Sequence, residues 1–436
     1  MKEVIRSADP RVAALIARQA TQYAGGDQLG LDRTIALLER LGRPQDRLPP
    51  VLHVAGTNGK GSTVAFLRAA LEAAGHTVHA FTSPHLVRYN ERIRIAGKLI
   101  DDEQLGELMS RVLDANGDLG ASLFEVNTAV ALLAFANTPA DACILEVGLG
   151  GRLDATNVIE KPLVTGIASL GLDHQAFLGK RMVDVASEKA GIAKRGVPLV
   201  TQLYPPAIAG RIGEIAHQVG AIWEPRGLHW NAIIRQGHLH YLDRRGELPL
   251  PLPRLPGRHQ ALNAALAVAM LRHQDQLAIT PTALGAAMGW TQWPARLQQL
   301  RDGPLLEILP RGSELWIDGG HNPSAARLIA AHAKRAWGDG LPLTVLFASL
   351  AGKDAAGTLR PFVNIAQRVR TLPIEGHDCR DPYGLSSVAT EMGFDASVHQ
   401  GIADALASLA EPSRVLIFGS LYLAGEALSL NGWQPD

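Results

Sequence analysis

Apolar side chains recur at helical spacing between residues 11 and 42, at Leu15 and Ile16 and again at Ile35, Leu37, Leu38 and Leu41. Gly25-Gly26 and Gly30 interrupt the pattern, and Pro49-Pro50 closes it. Val51 to Ala55 reads as a short strand of the buried type. A glycine-rich turn follows, then a helix from about Ser62 to Ala74. Thr77 to Thr82, Ala142 to Val147 and Leu163 to Ser169 predict three more strands. Strands alternating with helical segments predict a parallel sheet with helices on both faces. Residues 200–256 change character and run into Pro249, Pro251, Pro253 and Pro256, which reads as an irregular extension of the first domain. Helices are expected from about Gln260 to Ala287, and Gly289 to Pro294 reads as a linker.

A second α/β pattern begins beyond it. Leu315 to Asp318 predicts a strand, and Pro323 to Trp337 a helix with proline in its first turn. Leu343 to Ser349, Val369 to Pro373 and Arg414 to Phe418 are further strands. A chain of 436 residues is too long for one compact core. The predicted division is a domain over 1–290 and a smaller one over 296–436. Apolar residues make up 47% of the chain, and 42 basic residues balance 42 acidic ones. That balance argues against a general nucleic-acid or anionic-membrane binder but not against a small anionic substrate. Cys143 and Cys379 lie far apart with no CxxC partner, so neither a zinc site nor a disulfide framework is suggested. Met1 to Ala20 lacks a continuous apolar core, and no apolar run reaches bilayer length, so a cytoplasmic protein is expected.

The strongest local signal is Gly56-Thr57-Asn58-Gly59-Lys60-Gly61-Ser62, between a strand and a helix. Glycines let the backbone turn its N–H groups toward phosphate oxygens, and the helix N-terminus adds a favourable field. Lys60 would place a cation on the terminal phosphates. The loop departs from the common nucleotide pattern. Val54 stands at the usual first glycine, and Gly61 follows the lysine where a metal-binding hydroxyl normally lies, so that hydroxyl must come from Ser62 or elsewhere. Alone, the loop suits kinases, ATPases and ligases equally. The fold class expected is α/β: a P-loop-type parallel-sheet ATPase domain followed by a smaller Rossmann-like α/β domain.

Further motifs narrow the choice: Thr82-Ser83-Pro84-His85-Leu86, Asn90-Glu91-Arg92-Ile93, Leu145-Glu146-Val147-Gly148-Leu149-Gly150-Gly151-Arg152-Leu153-Asp154-Ala155-Thr156-Asn157, Leu172-Asp173-His174, Glu188-Lys189-Ala190-Gly191-Ile192 and Asp318-Gly319-Gly320-His321-Asn322-Pro323. With the phosphate loop, and in this order, the set resembles the folylpolyglutamate synthase branch of the Mur ligase superfamily. The resemblance implies an ATP-dependent ligase acting through an acyl phosphate. ATP phosphorylates a carboxylate, and the amine of L-glutamate displaces the phosphate. The acceptor is dihydropteroate in one activity and a folate in the other. It also implies a monomer with small-molecule substrates only.

The resemblance carries roles onto particular residues. Gly56, Thr57, Asn58, Gly59, Lys60, Gly61, Ser62, Asn263, Arg296 and Asp318 match nucleotide contacts. Ser83 and Glu146 hold one Mg2+, and His174 contributes to a second; hard oxygen donors suit that ion. Lys189 matches a lysine that the family carbamylates with CO2, which needs a neutral amine and gives an anionic donor. Read without the family, the same lysine is a plain cation or a partner of Glu188. Lys60, Lys189, His174 and His321 are the expected catalytic groups, and His321 and Ser420 face the cleft and help orient glutamate. The pterin-contacting stretches are Ser122-Leu123-Phe124-Glu125, Leu153-Asp154-Ala155 and Thr21-Gln22-Tyr23-Ala24. Phe124 could stack on a flat heterocycle, and Glu125 could accept its ring N–H groups. Leu300 to Trp316 is longer than the family's usual link, so the second domain is expected to begin with an addition. Alternatives are another Mur-type amino-acid ligase, a monofunctional folylpolyglutamate synthase, a phosphotransferase or nucleotide hydrolase, and a non-catalytic nucleotide-binding regulator.

Overall fold

The computed structural model describes residues 9–23 and 29–435. Its first sheet has eight strands: β1 (Val51–Ala55), β2 (Val78–Phe81), β3 (Ile93–Ile95), β4 (Lys98–Leu99), β5 (Ala142–Glu146), β6 (Val164–Ile167), β7 (Pro198–Thr201) and β8 (Ile222–Pro225). They lie in the order β4-β3-β2-β5-β1-β6-β7-β8. From β2 to β8 neighbours run parallel, while β3 and β4 add an antiparallel edge. β1 and β5 are buried at every position, which is why their sequences are apolar apart from His53 and the terminal Glu146 and do not alternate. The helices Lys60–Ala73 and Arg258–Arg272 pack together over one face, in a core containing Phe66, Leu67, Leu71, Leu266 and Met270. The helix Leu123–Ala136 covers the other face and is buried along nearly its whole length.

Residues 200–256 are not irregular. They hold the helix Pro206–Val219, strand β8 and a separate antiparallel sheet of β9 (Trp230–Arg235), β10 (His238–Asp243) and β11 (Gly246–Pro251). Pro249 and Pro251 lie in β11, an edge strand, where a missing N–H removes no bond to a further neighbour. Composition read them as breakers; the alternating burial of β9 and β10 was the better signal.

The third sheet contains β12 (Gln298–Leu300), β13 (Glu314–Ile317), β14 (Leu343–Phe347), β15 (Ala366–Thr371), β16 (Asp395–Val398) and β17 (Arg414–Phe418), in the order β12-β13-β17-β14-β15-β16. Only β12 is antiparallel. The helix Pro281–Trp290 runs past Gly289, so extended linker chain begins later than expected. The long stretch from Leu300 to Trp316 contains one short helix, Pro304–Ile308, packed against the third sheet's core. Among the described residues no helix is long and apolar enough to cross a membrane.

The lobe built on the third sheet touches the first directly. Helix Leu421–Leu430 brings Gly425 so close to the Leu86 backbone that any Cβ there would overlap the Leu86 carbonyl. Backbone cannot yield as a flexible side chain can. Gly425→Ala is therefore expected to cost about 1–3 kcal/mol through overpacking, read as a lower urea midpoint. An unchanged midpoint would mean that the helix is not pressed against this loop.

Candidate functional site

The phosphate loop joins β1 to the helix Lys60–Ala73. Its shape is set from the end of β6: the Thr57 and Asn58 amides donate to the Ser169 carbonyl at 2.8 and 3.1 Å. Thr57 Oγ1 donates to the Gly171 carbonyl at 3.0 Å and accepts from its amide at 3.1 Å. Gly59 has φ +84°, a left-handed conformation that glycine adopts without a Cβ penalty, and no side chain caps the helix. The first-turn N–H groups are thus available to an anion. The Ser62 hydroxyl is buried with no partner.

Glu146 ends β5 beside the loop. Its carboxylate lies 3.8 Å from Lys60 Nζ and accepts the Ser83 amide at 3.4 Å. Burial raises the Glu146 pKa, while Lys60 and the Ser83 amide pull it down. A desolvated carboxylate facing a cation and a neighbouring serine suits a hard divalent ion that keeps phosphate oxygens and water as its other ligands. His174 has left-handed φ (49°), and its pKa falls to about 4 through burial and Lys353, so it is neutral at pH 7 and keeps a ring lone pair. Among the described residues no three His, Cys, Asp or Glu side chains converge as a metal cage. The predicted set contains only two such side chains, so it would depend on Ser83, the phosphates and a modified Lys189. Lys189 is buried and donates to the Gly56 carbonyl at 2.9 Å. Burial, and then Lys60, push its pKa down to about 7, against Asp154, Asp173 and Glu188.

Asp173 joins the lobes. It accepts from Asn322 Nδ2 at 3.2 Å and lies 3.3 Å from His321 Nε2 and 2.5 Å from Lys353 Nζ, all three on the second lobe. Burial opposes its ionisation, but His321, Lys353 and His174 outweigh burial and hold the carboxyl far below the usual range. Asn58 of the phosphate loop exchanges amide hydrogen bonds with Asn322, at 3.2 and 3.0 Å. Asn322 also caps the helix Pro323–Ala336. Asn263 lies against Gly59. Arg296 lies in the fields of Asp318 and Glu146, and burial lowers its pKa. Asp318 accepts the Leu297 and Gly320 amides at 2.8 and 2.7 Å, so its oxygens already shape the entry to the second lobe.

Of the expected pterin segments, Ser122 to Glu125 packs on the turn after β5 that leads to Asp154. The Phe124 ring lies across Gly148, where any Cβ would overlap it. Ser122 and Glu125 form a capping box, and Glu125 is also held by Arg33 Nε at 3.2 Å. Asp154 accepts the Leu149 and Thr156 amides at 2.8 and 3.0 Å. It thereby folds the loop carrying Leu153 and Ala155. Thr21 is exposed and bonds the Arg18 carbonyl; Gln22 reaches the Leu113 carbonyl; Tyr23 ends its helix. Ala24 lies outside the described residues. The Ser420 hydroxyl caps the helix Leu421–Leu430, and the residue is buried.

Sequence reasoning assigned nothing to Lys353, Asn322, Arg33 or Trp293, and quoted Asp173 without giving it a role. Lys353 had a usable signal, because it lies just beyond the carboxyl end of β14, where α/β sheets place ligand-facing groups.

Residues 306–430 match the family description "Dihydrofolate synthetase, C-terminal domain". The chain is 33% identical over 409 residues to Escherichia coli dihydrofolate synthase/folylpolyglutamate synthase, covering 92% of this chain and 91% of that one. The solved structure of E. coli FolC in complex with DHPP and ADP superposes with a TM-score of 0.86 at 31% identity, covering 97% of this chain and 98% of that one. The Yersinia pestis bifunctional folylpolyglutamate synthase/dihydrofolate synthase complexed with AMPPNP and Mn ion gives a TM-score of 0.84 at 29% identity, covering 98% and 99%. By this identity over nearly its full length, the chain belongs to the dihydrofolate synthase/folylpolyglutamate synthase family.

Proposed function

We propose that the protein uses ATP to join L-glutamate to dihydropteroate, forming dihydrofolate, and to folates, extending their glutamate tail. The observation that carries this reading is the pairing of Lys60 with Glu146 in a cleft that Asp173 closes against His321, Asn322 and Lys353. Phosphate-binding groups from one lobe and polar groups from the other then surround one reacting centre. In the first step a substrate carboxylate oxygen bonds to the γ-phosphorus and the bond to ADP breaks. In the second, the glutamate amine bonds to the acyl carbon, phosphate leaves and the amine loses a proton. The chain's part is positioning and charge stabilisation. The loop amides and Lys60 hold the phosphates, Arg296 reaches them from the linker, and Asn263 and Asp318 line the nucleoside. His321 and Ser420 border the glutamate position, and Phe124, Glu125 and the Asp154 loop border the pterin. Ser83, Glu146 and His174 would hold two Mg2+ ions, which when bound neutralise charge on the phosphates. The lobes divide at residues 290–296.

We further propose that Lys189 is carbamylated. The amine nitrogen attacks CO2, a C–N bond forms, and the nitrogen loses a proton. Burial favours this by keeping much of the amine uncharged at neutral pH.

Three outcomes are expected. With 18O in the substrate carboxylate, label will appear in released phosphate, and ATP consumption will require glutamate. Unlabelled phosphate would end the acyl-phosphate reading, and glutamate-independent turnover would point to a plain hydrolase. Lys60→Ala should lower kcat by about 10²–10³-fold, as loss of one charge-stabilising group does; activity near wild type would remove the lysine from the phosphate site. For Lys189, raising the pH through its depressed pKa of about 7 converts ammonium to free amine. A 13C carbamate signal from labelled bicarbonate should therefore grow between pH 6 and 8 and be absent in Lys189→Ala. An equal signal in both proteins would exclude the modification at this lysine.

A further inference from the structure

The glycine after the phosphate-loop lysine is explained by a residue far along the chain. A Cβ on Gly61 would lie 2.6 Å from the Trp293 ring, so a serine or threonine cannot stand there while the indole keeps its place. Trp293 opens the linker, and Pro294 after it restricts its backbone to extended conformations. Ala295 and Leu297 both have left-handed φ, 54° and 46°, and both are fully buried. That conformation costs a non-glycine residue about 1–2 kcal/mol and persists only when surroundings enforce it. The enforcing contacts lie on the second lobe. The Gly319 amide donates to the Ala295 carbonyl at 3.0 Å, and the Leu297 amide donates to Asp318 at 2.8 Å. Between those two residues stands Arg296, whose Nη1 donates to the Ala295 carbonyl at 2.8 Å. Residues 293–297 are thus anchored at one end on the phosphate loop and at the other on the second lobe, with almost no slack.

We propose that Trp293, seated on Gly61, is the positioning residue that registers Arg296 against the phosphate loop, and that residue 61 is glycine to admit the indole. The inference rests on the reading of Arg296 as a phosphate contact. It predicts an effect on turnover rather than on nucleotide affinity, because the loop itself is held independently by Ser169 and Gly171.

The test compares Trp293→Leu, Trp293→Phe, Gly61→Ala, the double variant Gly61→Ala/Trp293→Leu, and Arg296→Ala. Each is followed by kcat, KM for ATP, and ADP affinity by calorimetry. Trp293→Leu should lower kcat by about 10–10²-fold, the scale of a misplaced catalytic group, with ADP affinity within about threefold of wild type. Trp293→Phe keeps a flat ring and should recover most of the rate. Gly61→Ala should lose rate comparably, and the double variant should lose much less than the product of the two. If the two effects multiply, or if Trp293→Leu weakens ADP as much as it slows turnover, the proposal falls. Should Trp293→Leu fail to fold, Trp293→Phe and Gly61→Ala still decide: a slow Phe variant or a fully active Ala variant overturns it. Full activity in Arg296→Ala would instead overturn the earlier reading of that arginine. A slow Arg296→Ala beside a fast Trp293→Leu would overturn only the present inference.

Discussion

One buried carboxylate, Asp173, holds the two lobes in register. Its partners His321, Asn322 and Lys353 all come from the second lobe, between 148 and 180 residues away in sequence. An ion left alone in a desolvated site costs several kcal/mol, so any motion that parts the lobes must give this charge new partners or water. The same rule runs through the cleft. Glu146 faces Lys60, Arg296 lies in the field of Glu146 and Asp318, and Lys189 rests on a backbone carbonyl. Most ionisable groups at the carboxyl ends of these strands thus face a partner from another segment. Removing one therefore leaves its partner uncompensated.

That interdependence explains what was legible in the sequence. The central strands were readable because a strand covered on both faces is mostly apolar, as β1, β5 and β17 are apart from His53, Glu146 and Arg414. The phosphate loop was readable because its chemistry is local. The edges were not: β3, β4, β12 and β16 are only two to four residues long, too short for any period to emerge. The sheet of β9, β10 and β11 was hidden by prolines that an edge strand tolerates. Asp173 carries no local mark, and Lys353 only its place beyond β14, since a pairing between residues 180 apart depends on how two sheets meet. Polar residues at motif positions also proved to hold backbone: Asp154, Asp318, Ser122 and Ser420 each accept main-chain amides. A motif says that such a residue is required; it does not say whether the ligand or the loop requires it.

The linker shows the same coupling through the backbone. Two left-handed, buried, non-glycine residues flank Arg296, and neither conformation would be chosen by the chain alone. Asp318 supplies the hydrogen bond that holds Leu297 in place. The aspartate thus acts on the arginine through the main chain as well as through charge. The sequence reads Gly289 to Pro294 as a linker, whereas the contacts of residues 293–297 tie the chain to both lobes.

Lys189 follows from the same electrostatics. Two ammonium groups near one phosphate loop repel, and Lys60 is, after burial, the largest influence lowering the Lys189 pKa. A second lysine there adds little to phosphate binding that Lys60 does not already provide, and it carries a desolvation cost. The carbamylation proposed above would reverse the sign: the buried amine would become an anion, its repulsion with Lys60 would become attraction, and a hard oxygen donor would stand where Glu146 and Ser83 offer too few. The low basicity of Lys189 leaves an amine free to react in this way, whereas a permanently charged arginine could not make the change.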